Sequence, residues 1–212
     1  MAISRLSQNT LQNAFSKYNN IWDGRSAVGA MDSLGAYTFT TDSSTTVTFS
    51  NIPQTYTNLQ LRWYARASAT DYYEIVVVSF NGDTAANYSY HTVYNSATSG
   101  QVNASGGGSQ SGPIYAGWCS DGASSSSGVF GVGIMDIFEY TNTNKAKVWR
   151  TSSGFDNNAA GGPTYYYRRG ASTITSGSWY KSGLPAISSI SIQNSSNTSW
   201  KSGTVFSLYG IK

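Results

Sequence analysis

Along most of the chain, apolar and polar side chains alternate one for one over short runs. Leu59, Leu61 and Trp63 fall on one side of a strand, with Gln60, Arg62 and Tyr64 on the other. The same period of two runs through 37–39 and 47–49, and through 88–94, where Tyr88, Tyr90 and Thr92 oppose Ser89, His91 and Val93. Residues 75–80 are apolar almost throughout, as expected of a strand in mid-sheet. Residues 128–140 read as one long strand, with Phe130, Val132, Ile134, Phe138 and Tyr140 sharing a face. Further strands are expected over 145–150, 165–167, 187–192 and 205–211. Asn51-Ile52-Pro53 and Asn81-Gly82-Asp83 supply turn signals between them. Two Gly- and Ser-rich patches, 103–112 and 120–128, read as flexible loops within the domain, because strands resume on both sides. Many short strands with no alternating helices predict an all-β fold, a β-sandwich or jelly roll.

The first residues follow a different period. Leu11, Ala14, Phe15 and Tyr18 recur at helical spacing behind Ser7, a residue suited to cap a helix. Such a helix spans about three turns and is marginal alone in water, so its apolar stripe must pack on its own domain or on a partner. Gly24, Gly29 and Gly35 then punctuate an irregular connection over 21–37. The organisation expected is a short N-terminal amphipathic helix and arm, 1–35, followed by a β-sandwich domain, 36–212.

Composition narrows the function classes. Charged residues make up 11% of the 212 positions, so solubility rests on Ser, Thr, Asn and Gly rather than on ion pairs. A net charge of +3 is too small an excess for the many phosphate contacts of a nucleic-acid binder. The single Cys119 cannot form an intramolecular disulfide or a cysteine-based zinc site, which suits assembly in a reducing cytoplasm. Residues 1–20 lack the basic start and apolar core of a secretory signal, and no apolar run approaches the length of a membrane span.

Candidate chemistry is sparse. His91 is the only histidine, and no nucleophile-elbow sequence accompanies it, so it reads as a strand residue. Asp71 with Glu74, and Asp136 with Glu139, are the nearest carboxylate pairs for glycoside hydrolysis. Asp136 alternates with Ile134 and Phe138, so it is either a buried, paired carboxylate or a residue on a face that swings out to solvent. The glycines of 128–133 have the wrong spacing for a dinucleotide fingerprint and are expected to let a neighbouring strand approach closely. No metal or other cofactor is expected. The stretch PTYYYRRG (163–170) combines tyrosine and arginine as ligand-contact surfaces do. It makes Tyr165, Tyr166, Tyr167, Arg168 and Arg169 candidate contacts for a glycan.

Several longer phrases carry a resemblance. FSNIPQTYTNLQLR (49–62), VSFNGDTAANYSYH (78–91), ISSISIQN (187–194) and GTVFSLYGIK (203–212) resemble small β-rich virion proteins of tailed bacteriophages. The opening LSQNTLQNAFSKYNNIWDG (6–24) is similar to the N-terminus of that group. The resemblance covers both ends and the middle and is weakest over about 95–185. It implies a non-enzymatic virion structural protein, made in the host cytoplasm and carried on the outer surface of the head or tail. The first expectation is a capsid decoration (cement) protein. Leu6, Leu11, Ala14, Phe15, Tyr18 and Trp22 of the N-terminal arm would be its contacts with a neighbouring subunit. The alternative is a tail fibre or other receptor-binding part that recognises a host surface glycan. Expected partners are the major capsid or tail proteins and further copies of the chain in a symmetric homo-oligomer, a trimer being one form. Neither a membrane nor a nucleic acid is expected as a partner.

Overall fold

The computed structural model describes residues 30–212 apart from 45, 71–72, 97–101, 121–127 and 157–169. The chain divides into two compact units, 1–30 and Met31–Lys212. The expected N-terminal helix lies outside the described residues.

The described residues form twelve strands and no helix. They are β1 (Met31–Thr38), β2 (Val47–Phe49), β3 (Asn58–Ala65), β4 (Tyr73–Phe80), β5 (Tyr88–Ser96), β6 (Val102–Gln110), β7 (Ile114–Ser120), β8 (Gly131–Phe138), β9 (Lys147–Phe155), β10 (Ala171–Trp179), β11 (Ile190–Asn194) and β12 (Val205–Ile211). An eight-stranded sheet runs β1-β12-β3-β8-β9-β10-β5-β6, and a four-stranded sheet runs β2-β11-β4-β7. Every pairing between these strands is antiparallel. Eight strands nest as pairs, β1 with β12, β2 with β11, β3 with β8 and β4 with β7. The other four come from two separate parts of the chain. The β5–β6 hairpin interrupts the β4–β7 connection, β9 and β10 follow β8, and the two insertions meet where β10 pairs with β5.

Alternation explains the core. Leu59, Leu61, Trp63 and Ala65 of β3 and Phe206 and Leu208 of β12 point inward against Val76, Val78 and Phe80 of β4 and Ile190 and Ile192 of β11. Phe80 meets Trp149, Trp179 and Tyr88 at ring-centroid distances of 5.6, 5.7 and 6.1 Å. Each aromatic side chain buried this fully removes about 150–250 Å2 from water, worth roughly 4–6 kcal/mol before its entropy cost.

Several expectations change against this frame. The long strand over 128–140 exists as β8, but Val132, Ile134 and Phe138 face outward and are exposed. Its inward positions are Gly131, Gly133, Met135 and Ile137. Gly133 lies under the Trp63 ring, where an added Cβ would fall 2.1 Å from the indole, and Gly131 lies against the Cys119 backbone. The close approach expected of these glycines is therefore made by an indole and by β7. The Gly/Ser patch 103–112, read as a loop, is largely edge strand β6, held by backbone pairing to β5. Strand β10 has no counterpart among the expected strands, because Thr173, Thr175 and Gly177 interrupt its inward row between Ala171 and Trp179. β1 starts at Met31, inside the stretch read as an irregular connection, with a register shift between Ser33 and Gly35.

Candidate functional site: an aromatic cleft

Part of the inner face of the inserted strands is polar. Thr92 of β5, Thr151 and Ser153 of β9, and Thr173 and Thr175 of β10 are all buried there. The Thr92 and Thr173 hydroxyls are 2.8 Å apart, Thr173 and Thr175 3.2 Å, and Thr175 donates to Thr92 at 3.0 Å. This closed triangle of hydroxyls satisfies itself, which lets polar groups sit in the interior at little cost.

Aromatic side chains roof the triangle. The β7 edge is fixed in place by two hydrogen bonds: the Trp118 amide donates to the Ser153 hydroxyl at 2.9 Å, and the Trp63 indole donates to the Trp118 carbonyl at 3.1 Å. So positioned, the Trp118 ring packs on Tyr73 at 5.0 Å, Tyr94 at 5.2 Å and Phe155 at 6.4 Å. Tyr115 stacks on Tyr90 at 5.4 Å with planes 6° apart. Burial pushes the Tyr115 phenol well above its usual range, with the Thr173 and Thr92 hydroxyls opposing that shift.

Together these side chains bound a cleft of about 200 Å3 lined by Tyr73, Ile75, Tyr90, Thr92, Tyr94, Ser105, Tyr115 and Trp118. Two strands of the small sheet, β4 and β7, supply one wall, and the β5–β6 hairpin supplies the other. Among the described residues, no Lys, Arg, Asp, Glu or His lines it. Sequence reasoning passed over this site. The alternation of Tyr88, Tyr90 and Thr92 showed which face Tyr90 takes, but nothing local brings it to Tyr115 or Ser105 to the same mouth.

The residues singled out by sequence fall elsewhere. Leu6, Leu11, Ala14, Phe15, Tyr18 and Trp22 lie outside the described residues, as do Asp71 and Tyr165, Tyr166, Tyr167, Arg168 and Arg169. His91 is exposed on the outer face of the large sheet, between Ser176 of β10 and Gly106 of β6. Its imidazole leans over the Gly106 backbone, where a Cβ would come within 2.8 Å of it. Asp136 sits on the same outer face. It accepts a hydrogen bond from Gln60 at 2.7 Å and faces the Arg150 guanidinium at 4.0 Å. Glu139 instead pairs with Lys145 at 2.5 Å and accepts from Asn142 at 3.0 Å, contacts that hold its carboxyl below the usual range. The two carboxylates therefore have separate partners. Glu74 is buried and accepts from the Ser195 hydroxyl at 2.5 Å and the Ile75 amide at 2.7 Å.

The phrase 81–91 organises around another acid. Asp83 is buried and accepts from the Trp179 indole at 2.7 Å, Asn87 at 2.8 Å and the Ala85 amide at 3.1 Å, with Lys181 3.8 Å away. Among the described residues, no group of three or more His, Cys, Asp or Glu side chains is placed to hold a metal ion. No protein-family model, curated protein or solved structure matches the chain.

Proposed function

We propose that the protein is a non-enzymatic structural component of a tailed-phage virion, built on a jelly roll and serving as a capsid decoration protein that docks through its N-terminal arm. The observation that carries this reading is the strand order. The strands β1-β12-β3-β8 and β2-β11-β4-β7 pair first with last and second with second-last, an order that supports the jelly-roll reading. That architecture serves viral capsid and lectin domains among others. Fold alone does not assign a task, and the phrases that resemble phage virion proteins supply the second support.

The outer face of the large sheet fits assembly of further copies into the expected symmetric oligomer. Val132, Ile134, Val148, Ile174 and Val93 are exposed across four strands, among Ser152, Ser172 and Ser176. Asp136 and Arg150 add charges of both signs to the same face, so two copies can pair it with itself.

Quantitative mass spectrometry of purified particles of the encoding phage tests the reading. A copy number comparable with the major capsid protein is expected, and absence from the particle overturns it. The aromatic cleft favours one further reading, a tail-associated protein that recognises a host surface glycan. In that case the copy number is a small fraction of the capsid protein's, and the soluble protein is retained on host cells.

A further inference from the structure

We propose that the cleft between the β5–β6 hairpin and the β4–β7 pair is a binding site for a neutral hexopyranose ring. The site takes the ring against Tyr94 and Tyr73, backed by the buried Trp118, and bonds its hydroxyls at the Ser105 rim. The proposal deepens the receptor reading and rests on it only in taking the cleft for a ligand site. It holds wherever on a particle the protein sits.

The chemistry of the lining selects the ligand. Among the described residues no cationic side chain lines the cleft, so a phosphate, carboxylate or sulfate group would find no partner among them. A purely apolar ligand would take the hydroxyls of Tyr90, Tyr94 and Ser105 from water and offer them nothing in return. A pyranose meets both halves of the lining. Its C–H face is weakly positive and packs on the negative face of an aromatic ring, while its equatorial hydroxyls point outward to the rim. A cleft of about 200 Å3 lies below the usual range for drug-sized ligands, roughly 300–1,000 Å3, and suits one ring, a chain terminus or a branch.

The wall is also preorganised. Trp118 is held through both its backbone groups and wedged between Tyr73, Tyr94 and Phe155. Tyr115 is held by stacking on Tyr90 and rests on the hydroxyl triangle beneath. Rings fixed before the ligand arrives lose little entropy on binding, which matters most for a ligand that offers few contacts. Ser105, exposed on edge strand β6, stands at the open side, where a longer glycan chain can leave.

Saturation-transfer NMR on the full chain tests the site, with the methyl glycosides of glucose, galactose, mannose and N-acetylglucosamine as probes. Glucuronate and uridine monophosphate serve as charged comparators. At least one neutral glycoside is expected to receive saturation on its ring C–H protons, with millimolar affinity. Tyr94→Ala should weaken that binding by about tenfold, or 1.4 kcal/mol. Ser105→Trp places a large side chain at the mouth without touching the core, and should abolish binding while the thermal melt stays that of the parent. No saturation of any of the four glycosides, unchanged binding by Ser105→Trp, or preference for a charged comparator each overturns the proposal. Glycoside binding without retention on host cells would remove the receptor role and leave the site standing.

Discussion

The Trp63 ring occupies the space beside Gly133, its cross-strand partner, and the Trp149 ring does the same beside Gly177. In each pair the glycine is required by its neighbour and not by its backbone angles, since the space a Cβ would fill is occupied by an indole 2.1 or 2.2 Å away. Gly133→Ala is therefore expected to force the Trp63 ring aside and destabilise the domain by about 1–3 kcal/mol, read from the urea midpoint. Gly108→Ala, with nothing within 4 Å, should move the same midpoint by less than about 0.5 kcal/mol. Asp83 is the charged counterpart. Burial alone pushes its pKa up, but the bonds from Asn87, Trp179 and the Ala85 amide and the charge of Lys181 outweigh this and leave it below its usual 3.8. The folded state thus binds this proton less readily than the unfolded chain. The stabilisation is complete above the unfolded value and is lost as pH falls through the lower folded one. Asp83→Asn should cost about 1–3 kcal/mol at pH 7. It should also flatten part of the decline in unfolding free energy below about pH 4, measured by urea titration across that range.

Strands with an apolar row on the inward side were legible before any coordinates. Leu59, Leu61 and Trp63 alternate and face the core as expected, and the near-continuous run of 75–80 is an interior strand, β4. Where the inward row is not apolar, the pattern misleads. β10 buries threonines, β6 is held by backbone pairing to β5, and β8 shows Val132, Ile134 and Phe138 to solvent while Trp63 and the Cys119 backbone fill the space above Gly133 and Gly131. The cleft was illegible for the same reason, since its walls meet only through pairings such as β5 with β10 that no local signal announces. Strand β6 has one hydrogen-bonded neighbour and an almost fully exposed Gly/Ser sequence, so it should be the least protected strand. Hydrogen exchange followed by mass spectrometry should show peptides of 102–110 exchanging first and those of 58–65 and 205–211 last. Equal protection across the large sheet would contradict this.

At the scale of the whole molecule, the large sheet has two unlike faces. Its inner face is sealed by aromatic and aliphatic side chains under the small sheet, while its outer face leaves Ile174 61% and Val93 49% exposed as cross-strand partners. If that face joins copies of the chain, Ile174→Lys with Val93→Lys should shift the protein from oligomer to monomer in sedimentation velocity and leave the melting temperature within a few degrees. A parent chain that sediments as a monomer at every concentration would remove the interface.

The nested strand order also governs how such a chain comes off the ribosome. Strand β12 lies between β1 and β3, and β11 between β2 and β4, so both sheets stay split until nearly all of Met31–Lys212 has been made. During translation the earlier strands wait with apolar faces and open edges, which is when chains of this kind aggregate or are held by chaperones. Sparse charge leaves little electrostatic repulsion to keep such chains apart. The rate at which the last two strands are delivered thus sets how long each nascent chain remains at risk.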